Sequence, residues 1–171
     1  MFARDPLADP EALIPRVYAY VAYRIGDGPD AEDLTSDTFE RALRYRSSYD
    51  PTRGDPLSWL IGIARRQIAG GAAPIERDVD HGPELVAPGD VEEDAIRRLA
   101  ISAAVANLSD GDRELIALRY GADLTARQIS VLLERRTNTV EVALHRALGR
   151  LRTLLEGGEP AELPGSTSSE L

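Results

Sequence analysis

Residues 124–151 read LTARQISVLLERRTNTVEVALHRALGRL. Arg135, Arg136, Asn138, Glu141, His145 and Arg146 place guanidinium, amide, carboxylate and imidazole groups within twelve positions. Such groups suit the edges of nucleic-acid bases. Arg meets guanine O6 and N7 with two donors, Asn pairs with adenine, and Glu accepts from cytosine N4. Thr125 and Arg127 upstream, with Thr137 and Thr139, add hydroxyl and cationic groups of the kind that hold phosphates. Val142 stands among them. Catalytic constellations are not evident. Glu32, Asp33 and the scattered acids have no matching His or Lys, no metal set and no phosphate loop, so the chemistry is recognition and an enzyme is not expected. With no Cys there is no thiolate metal site, and His81 and His145 lie too far apart to make one. No metal or cofactor is expected.

The elements that position these groups follow from periodicity. Thr125 is a good helix N-cap, and Gln128 three residues later completes a capping box. Ile129, Leu132 and Leu133 give the first short helix an apolar face. Val140, Leu144, Ala147, Leu148 and Leu151 form a stripe on a second helix, opposite Asn138, Glu141, Val142, His145 and Arg146. Two such helices joined by a tight turn form a helix-turn-helix, whose second helix enters a DNA major groove.

Composition and charge sharpen this reading. The 171 residues carry a net charge of −9, unfavourable for binding naked DNA. The charge is unevenly spread. Residues 1–70 hold nine Arg against eleven acids, 71–95 one against eight, 96–155 ten against six, and 156–171 four Glu with no base. The basic surplus therefore coincides with the helix-turn-helix. A partner that holds the chain on DNA is expected. There is neither a membrane-length apolar run nor an N-terminal signal, so the expectation is a cytoplasmic protein without membrane insertion.

Three helices are expected before residue 70: about 11–25, ended by Gly26 and Gly28; about 30–46 with Asp30 as N-cap; and one from Pro56 to the Gly70–Gly71 pair. Leu34, Thr38, Ala42 and Tyr45 make the inner stripe of the second. The loop 47–56 is rich in Ser, Asp, Pro and Gly. Acidic, Pro-containing residues 71–92 read as a flexible linker, and the 24 residues 71–94 reach about 80 Å when fully extended at ~3.3 Å each. A second helical module spans 93–156, with helices to about residue 108 and from Ser109 to Gly121 before the helix-turn-helix. Residues 157–171 form an acidic tail expected to be disordered. The fold class is all-α, in two small helical domains: a bundle of three or four helices at 1–70 and the helix-turn-helix domain.

The combination is more specific than either part. RVYAYVAYRIGDGPDAEDLTSDTFERALRYRSSYDPTRGDPLSWLIGIARRQI resembles conserved region 2 of the bacterial sigma-70 family of initiation factors. SDGDRELIALRYGADLTARQISVLLERRTNTVEVALHRALGRLR is similar to their region 4. Regions 1 and 3 have no counterpart as domains, as in the compact extracytoplasmic-function (ECF) group.

The resemblance implies a factor that binds core RNA polymerase and directs initiation at promoter DNA. Glu32, Asp33, Leu34, Ser36, Asp37 and Glu40 would dock on the polymerase. Arg44, Arg46, Arg53, Trp59, Arg65 and Arg66 would serve the −10 element. Thr125, Arg127, Arg135, Arg136, Thr137, Asn138, Thr139, Glu141, Val142, His145 and Arg146 would serve the −35 element. An anti-sigma factor is a further partner that the resemblance allows. Read without it, the acidic helix face and the acidic linker suit solvent better than a partner, Trp59 suits the core better than base stacking, and His145 suits a bystander as well as a contact.

The chain departs from the family pattern at three places. After Arg66 it lacks the basic run that commonly ends the −10 helix. Glu134 stands where a turn glycine is usual, and Glu141–Val142 where a basic or small polar pair is common. The shortened basic end keeps open an alternative, a sigma-like regulator that binds polymerase or another partner without opening promoters.

Overall fold

Asp9 starts the first helix by accepting the Ala12 N–H at 3.2 Å, and Pro10 pre-sets the first turn. The computed structural model describes residues 5–71 and 91–157. The linker expected at 71–92 and the tail expected from 157 lie almost wholly outside these residues. Helix α1 is Pro10–Ile25, α2 Pro29–Arg44 and α3 Pro56–Ala69, with a 3₁₀ turn at Arg46–Ser48. The second half contains α4 (Val91–Ala106), α5 (Asp110–Ile116), α6 (Ala126–Leu132) and α7 (Thr137–Leu155). No strand occurs among the described residues, in keeping with the all-α expectation. No helix among them is long and apolar enough to cross a membrane.

Two local expectations are corrected. Gly28, not Asp30, is the N-cap of α2, because Pro29 takes the first helical position and draws Asp30 into the first turn. Tyr45 caps the C-terminus of α2 and is exposed rather than part of the inner stripe.

Helix α5 runs into a wide π-helical turn at Ala117–Gly121, closed by the Ala122 N–H on the Ala117 carbonyl at 3.0 Å. This turn lies against α1, and glycine is required there. A Cβ on Gly121 would sit 2.9 Å from the Tyr20 Cα and 3.0 Å from the Ala19 carbonyl carbon and oxygen. Backbone meets backbone at that point, and no side-chain motion makes room.

That approach seals one core shared by both halves of the chain. Val17, Tyr20, Val21, Leu60, Ile61 and Ala64 from α1 and α3 join Leu115, Leu118, Leu124, Ile129, Val140 and Leu144. A smaller cluster of Val105, Leu108, Ile116 and Ala147 lies under α4 and α7. Full burial of each large aliphatic side chain contributes about 1.5–3 kcal/mol before entropy is counted. The N-terminal part of α4 is less covered, with Ile96 and Leu99 60% and 59% exposed.

Candidate nucleic-acid interface

The expected capping box is formed. The Thr125 hydroxyl accepts the Gln128 N–H at 3.2 Å, and the Gln128 side-chain oxygen accepts the Thr125 N–H at 2.8 Å. Ile129 and Ser130 turn inward from α6. Glu134 then reverses the chain with φ +54°. The Thr137 hydroxyl donates to the Ser130 hydroxyl oxygen at 3.1 Å, and that of Ser130 to the Arg127 carbonyl at 2.7 Å, joining α7 to α6. Val140, Leu144 and Ala147 bury the inner stripe of α7.

The outer face is free. Thr125, Arg127, Arg135, Arg136, Thr137, Asn138, Thr139, Glu141, Val142, His145 and Arg146 are all exposed. Among the described residues, none of Arg127, Arg135, Arg136 or Arg146 is in an ion pair, whereas Arg150 is held by Asp112 at 2.8 Å. The sequence thus separates cations open to a ligand from one committed to the fold. Glu134 and Glu141 are the carboxylates on the face and oppose phosphate.

In the first half, Arg44, Arg46, Arg53 and Arg66 are exposed and Arg65 is half-exposed. Trp59 is half-buried against the core, and its ring tilts on that of Tyr49 with centroids 5.4 Å apart. The loop between them is self-supporting. Asp50 accepts the Thr52 N–H and hydroxyl at 2.9 and 2.7 Å, which holds its carboxyl below the usual range. The Tyr49 hydroxyl donates to the Gly54 carbonyl at 3.0 Å. Asp55 caps α3 through the Ser58 N–H at 3.0 Å and the Ser58 hydroxyl at 2.7 Å. Burial works against its charge, but these bonds and one from Gln128 outweigh it and lower its carboxyl.

On α2, Glu32, Asp33, Ser36 and Glu40 face solvent and Asp37 is half-buried. Leu34 points inward at 7% exposure, so its side chain belongs to the core rather than to this acidic surface. Asp37 accepts from Arg41 at 3.0 Å and from the Gln67 amide. Gln67 also accepts the Thr38 hydroxyl at 2.6 Å, fastening α3 to α2.

Sequence reasoning did not anticipate the polar cluster between the two halves. Glu114 on α5, its side chain 11% exposed, accepts the Tyr20 hydroxyl at 3.0 Å and the Arg65 Nε at 3.0 Å. The Arg24 Nε lies 2.7 Å from its second oxygen, and Arg24 Nη1 is 2.8 Å from Asp110. Burial and the neighbouring Glu114 carboxylate push the Tyr20 phenol well up. Arg16 donates to the carbonyls of Ala122 and Asp123 at 2.9 and 3.0 Å. Beside the cluster a cleft of about 1000 Å³ is lined by Tyr23, Ile68, Ile101 and Val105 together with Arg98 and Arg135.

Known proteins place these elements. Residues 11–69 match Sigma-70 region 2, and residues 98–151 match Sigma-70, region 4. The chain is 30% identical over 152 residues to the ECF RNA polymerase sigma factor SigK of Mycobacterium ulcerans (strain Agy99), covering 82% of this chain and 80% of that protein. It is also 30% identical over 147 residues to the ECF RNA polymerase sigma factor BldN of Streptomyces coelicolor (strain ATCC BAA-471 / A3(2) / M145), covering 81% of this chain and 56% of BldN. The fold is similar to that of the sigma factor RpoE of Bartonella quintana, solved with the anti-sigma factor NepR. That match has a TM-score of 0.66 at 20% identity and covers 90% of this chain and 98% of RpoE. CnrH, solved with the cytosolic domain of CnrY, matches with a TM-score of 0.63 at 20% identity, covering 88% of this chain and 84% of CnrH. With both conserved regions in their expected order and a relative aligned over most of both lengths, the chain belongs to the extracytoplasmic-function group of the bacterial sigma-70 family.

Proposed function

We propose that this chain is a dissociable initiation factor. It binds core RNA polymerase through the acidic face of α2 and directs the enzyme to a promoter class. α7 and its turn read the −35 element, and the loop before α3, with Arg44, Arg46, Arg53, Trp59, Arg65 and Arg66, takes the −10 element. The polymerase carries out the chemistry, inside the cell where the DNA is. Residues 1–70 and 93–156 are the two working modules, joined by 71–92.

The observation that carries this reading is the exposed, unpaired pair Arg135–Arg136 at the entry of α7, followed by Thr137, Asn138 and Thr139. Cations and amides presented by a capped two-helix scaffold suit a major groove. The cleft between the modules, apolar with arginines in its lining, supports an acidic, partly apolar anti-sigma factor as a further partner.

Reconstitution with core polymerase, followed by measurement of open complexes across a genomic promoter pool, tests the proposal. Specific opening at sites sharing two spaced elements is expected. Tight core binding with no opening at any site would overturn it in favour of a sigma-like regulator.

A further inference from the structure

We infer that Glu141 and Val142 are specificity residues of α7: Glu141 selects a cytosine, and Val142 selects a nearby thymine through its methyl group. This deepens the proposed function and rests on the assignment of α7 to the −35 element.

The fold makes no use of either side chain. Val140, Leu144 and Ala147 bury the inner side of α7. At ~100° per residue, Asn138, Glu141, Val142 and His145 fall within an arc of ~100° on the opposite side. All four are exposed. Glu141 lies past the first turn of α7, where the helix dipole would favour an acid, and that turn holds none. Among the described residues Glu141 is in no ion pair and no side-chain hydrogen bond. Val142 is 43% exposed and belongs to neither core cluster.

Against DNA the Glu141 carboxylate is unfavourable at most positions. Phosphates repel it. Guanine presents two acceptors, O6 and N7, and thymine presents O4. Adenine offers the N6 donor between two acceptors, its own N7 and the O4 of the paired thymine. The cytosine N4 donor has an acceptor on one side alone, the O6 of the paired guanine. A carboxylate in the middle of a reading face therefore discriminates chiefly by what it rejects. Beside it, Val142 is the apolar side chain of the outer stripe, and the thymine methyl is the apolar group of the major groove. Glu141 and Val142 lie ~4.5 and ~6 Å along the axis from Asn138, at ~1.5 Å per residue. Those advances correspond to about two base-pair steps of ~3.4 Å or fewer. The cytosine and the thymine thus fall within about two pairs of the base that Asn138 meets.

The test assembles the full chain with core polymerase, offers it promoters randomised across the −35 element, and sequences the opened molecules. The wild type should enrich a cytosine column with a thymine column close by. Glu141→Ala should lower the cytosine preference about tenfold. Glu141→Gln should lower it equally and shift it towards adenine, whose N6 and N7 suit an amide. On one enriched promoter, uracil in place of the thymine removes the methyl alone. That exchange should weaken opening about threefold for the wild type and have no effect for Val142→Ser. An unchanged cytosine column in both Glu141 variants overturns the role of Glu141. So does a gain in opening that is uniform across the library, because bare charge repulsion acts on every sequence alike. A uracil effect of equal size in the wild type and Val142→Ser overturns the role of Val142. A wild-type holoenzyme that enriches no −35 element at all would instead overturn the proposed function, and this inference with it.

Discussion

The Arg135 N–H donates to the Ser130 carbonyl at 2.9 Å across a left-handed Glu134, whose own N–H reaches the Val131 carbonyl at 3.3 Å. This pair of bonds ends α6 in a Schellman motif, the closure that normally uses glycine. Here a glutamate holds the position at a steric cost of about 1–2 kcal/mol. Glu134→Gly should therefore raise the unfolding free energy by about 1 kcal/mol, read as a higher urea midpoint with an unchanged m-value. It should also strengthen binding to a −35 duplex, because a carboxylate beside Arg135 is removed.

Arg135 and Arg136 are exposed at the entry of α7 and are in no ion pair among the described residues. Arg136→Ala, and separately Arg135→Ala, should weaken −35 binding by about 1–3 kcal/mol if the side chain makes a two-donor base contact. Arg150→Ala, which removes the partner of Asp112, should leave that affinity unchanged. Fluorescence titration with a labelled duplex at fixed salt checks all three.

Gly121→Ala places a methyl group 2.9 Å from the Tyr20 Cα. It should destabilise the free chain by about 1–3 kcal/mol, as overpacking does where only backbone can yield. Chemical denaturation measures the loss.

Asp33 is exposed on the acidic face of α2. Asp33→Arg should abolish co-purification with core polymerase while shifting stability by no more than about 0.5 kcal/mol, the usual range for a surface change. Normal co-purification would remove Asp33 from the docking surface.

The alkaline limb of stability should show two late tyrosines. Burial, with Asp27 beside it, pushes the Tyr18 phenol up to about 12, and burial with Glu114 pushes Tyr20 higher still. Raised values mean that the folded chain favours the protonated phenol. The stabilisation is complete below pH ~10, the ordinary tyrosine value, and is lost as pH rises from there through the folded values. Ultraviolet titration of the folded chain should show late phases, and Tyr20→Phe should remove the last of them.

Local chemistry was readable along the chain. Thr125 and Gln128 are three residues apart, so their capping box is written in the sequence, as are the Pro56 start of α3 and the 3.6-residue stripe of α7 that leaves Thr137, Asn138, Thr139, Glu141, Val142, His145 and Arg146 facing outward. The cluster around Glu114 was not readable. Tyr20 and Arg65 lie 94 and 49 residues from Glu114, and no periodicity pairs groups across such distances. Glu114 looks like any helix-surface acid until α1 covers it. Gly121 looked like a helix stop, whereas the close approach of α1 is what requires it. The N-cap of α2 escapes the sequence for a subtler reason: Pro29 and Asp30 both suit a first turn, and proline takes the earlier place.

The shared core has a consequence for the order in which the chain is made. At ~5–20 residues per second, a ribosome needs roughly 3–10 s to extend from the end of α3 to Leu124. Throughout that interval the face of α1 that will meet Gly121, with Val17 and Tyr20, has no Leu118 or Leu124 to cover it. A nascent chain therefore passes through a stage in which the apolar side of α1 is bare to solvent, a stretch of synthesis during which a chaperone or a second nascent chain can reach it.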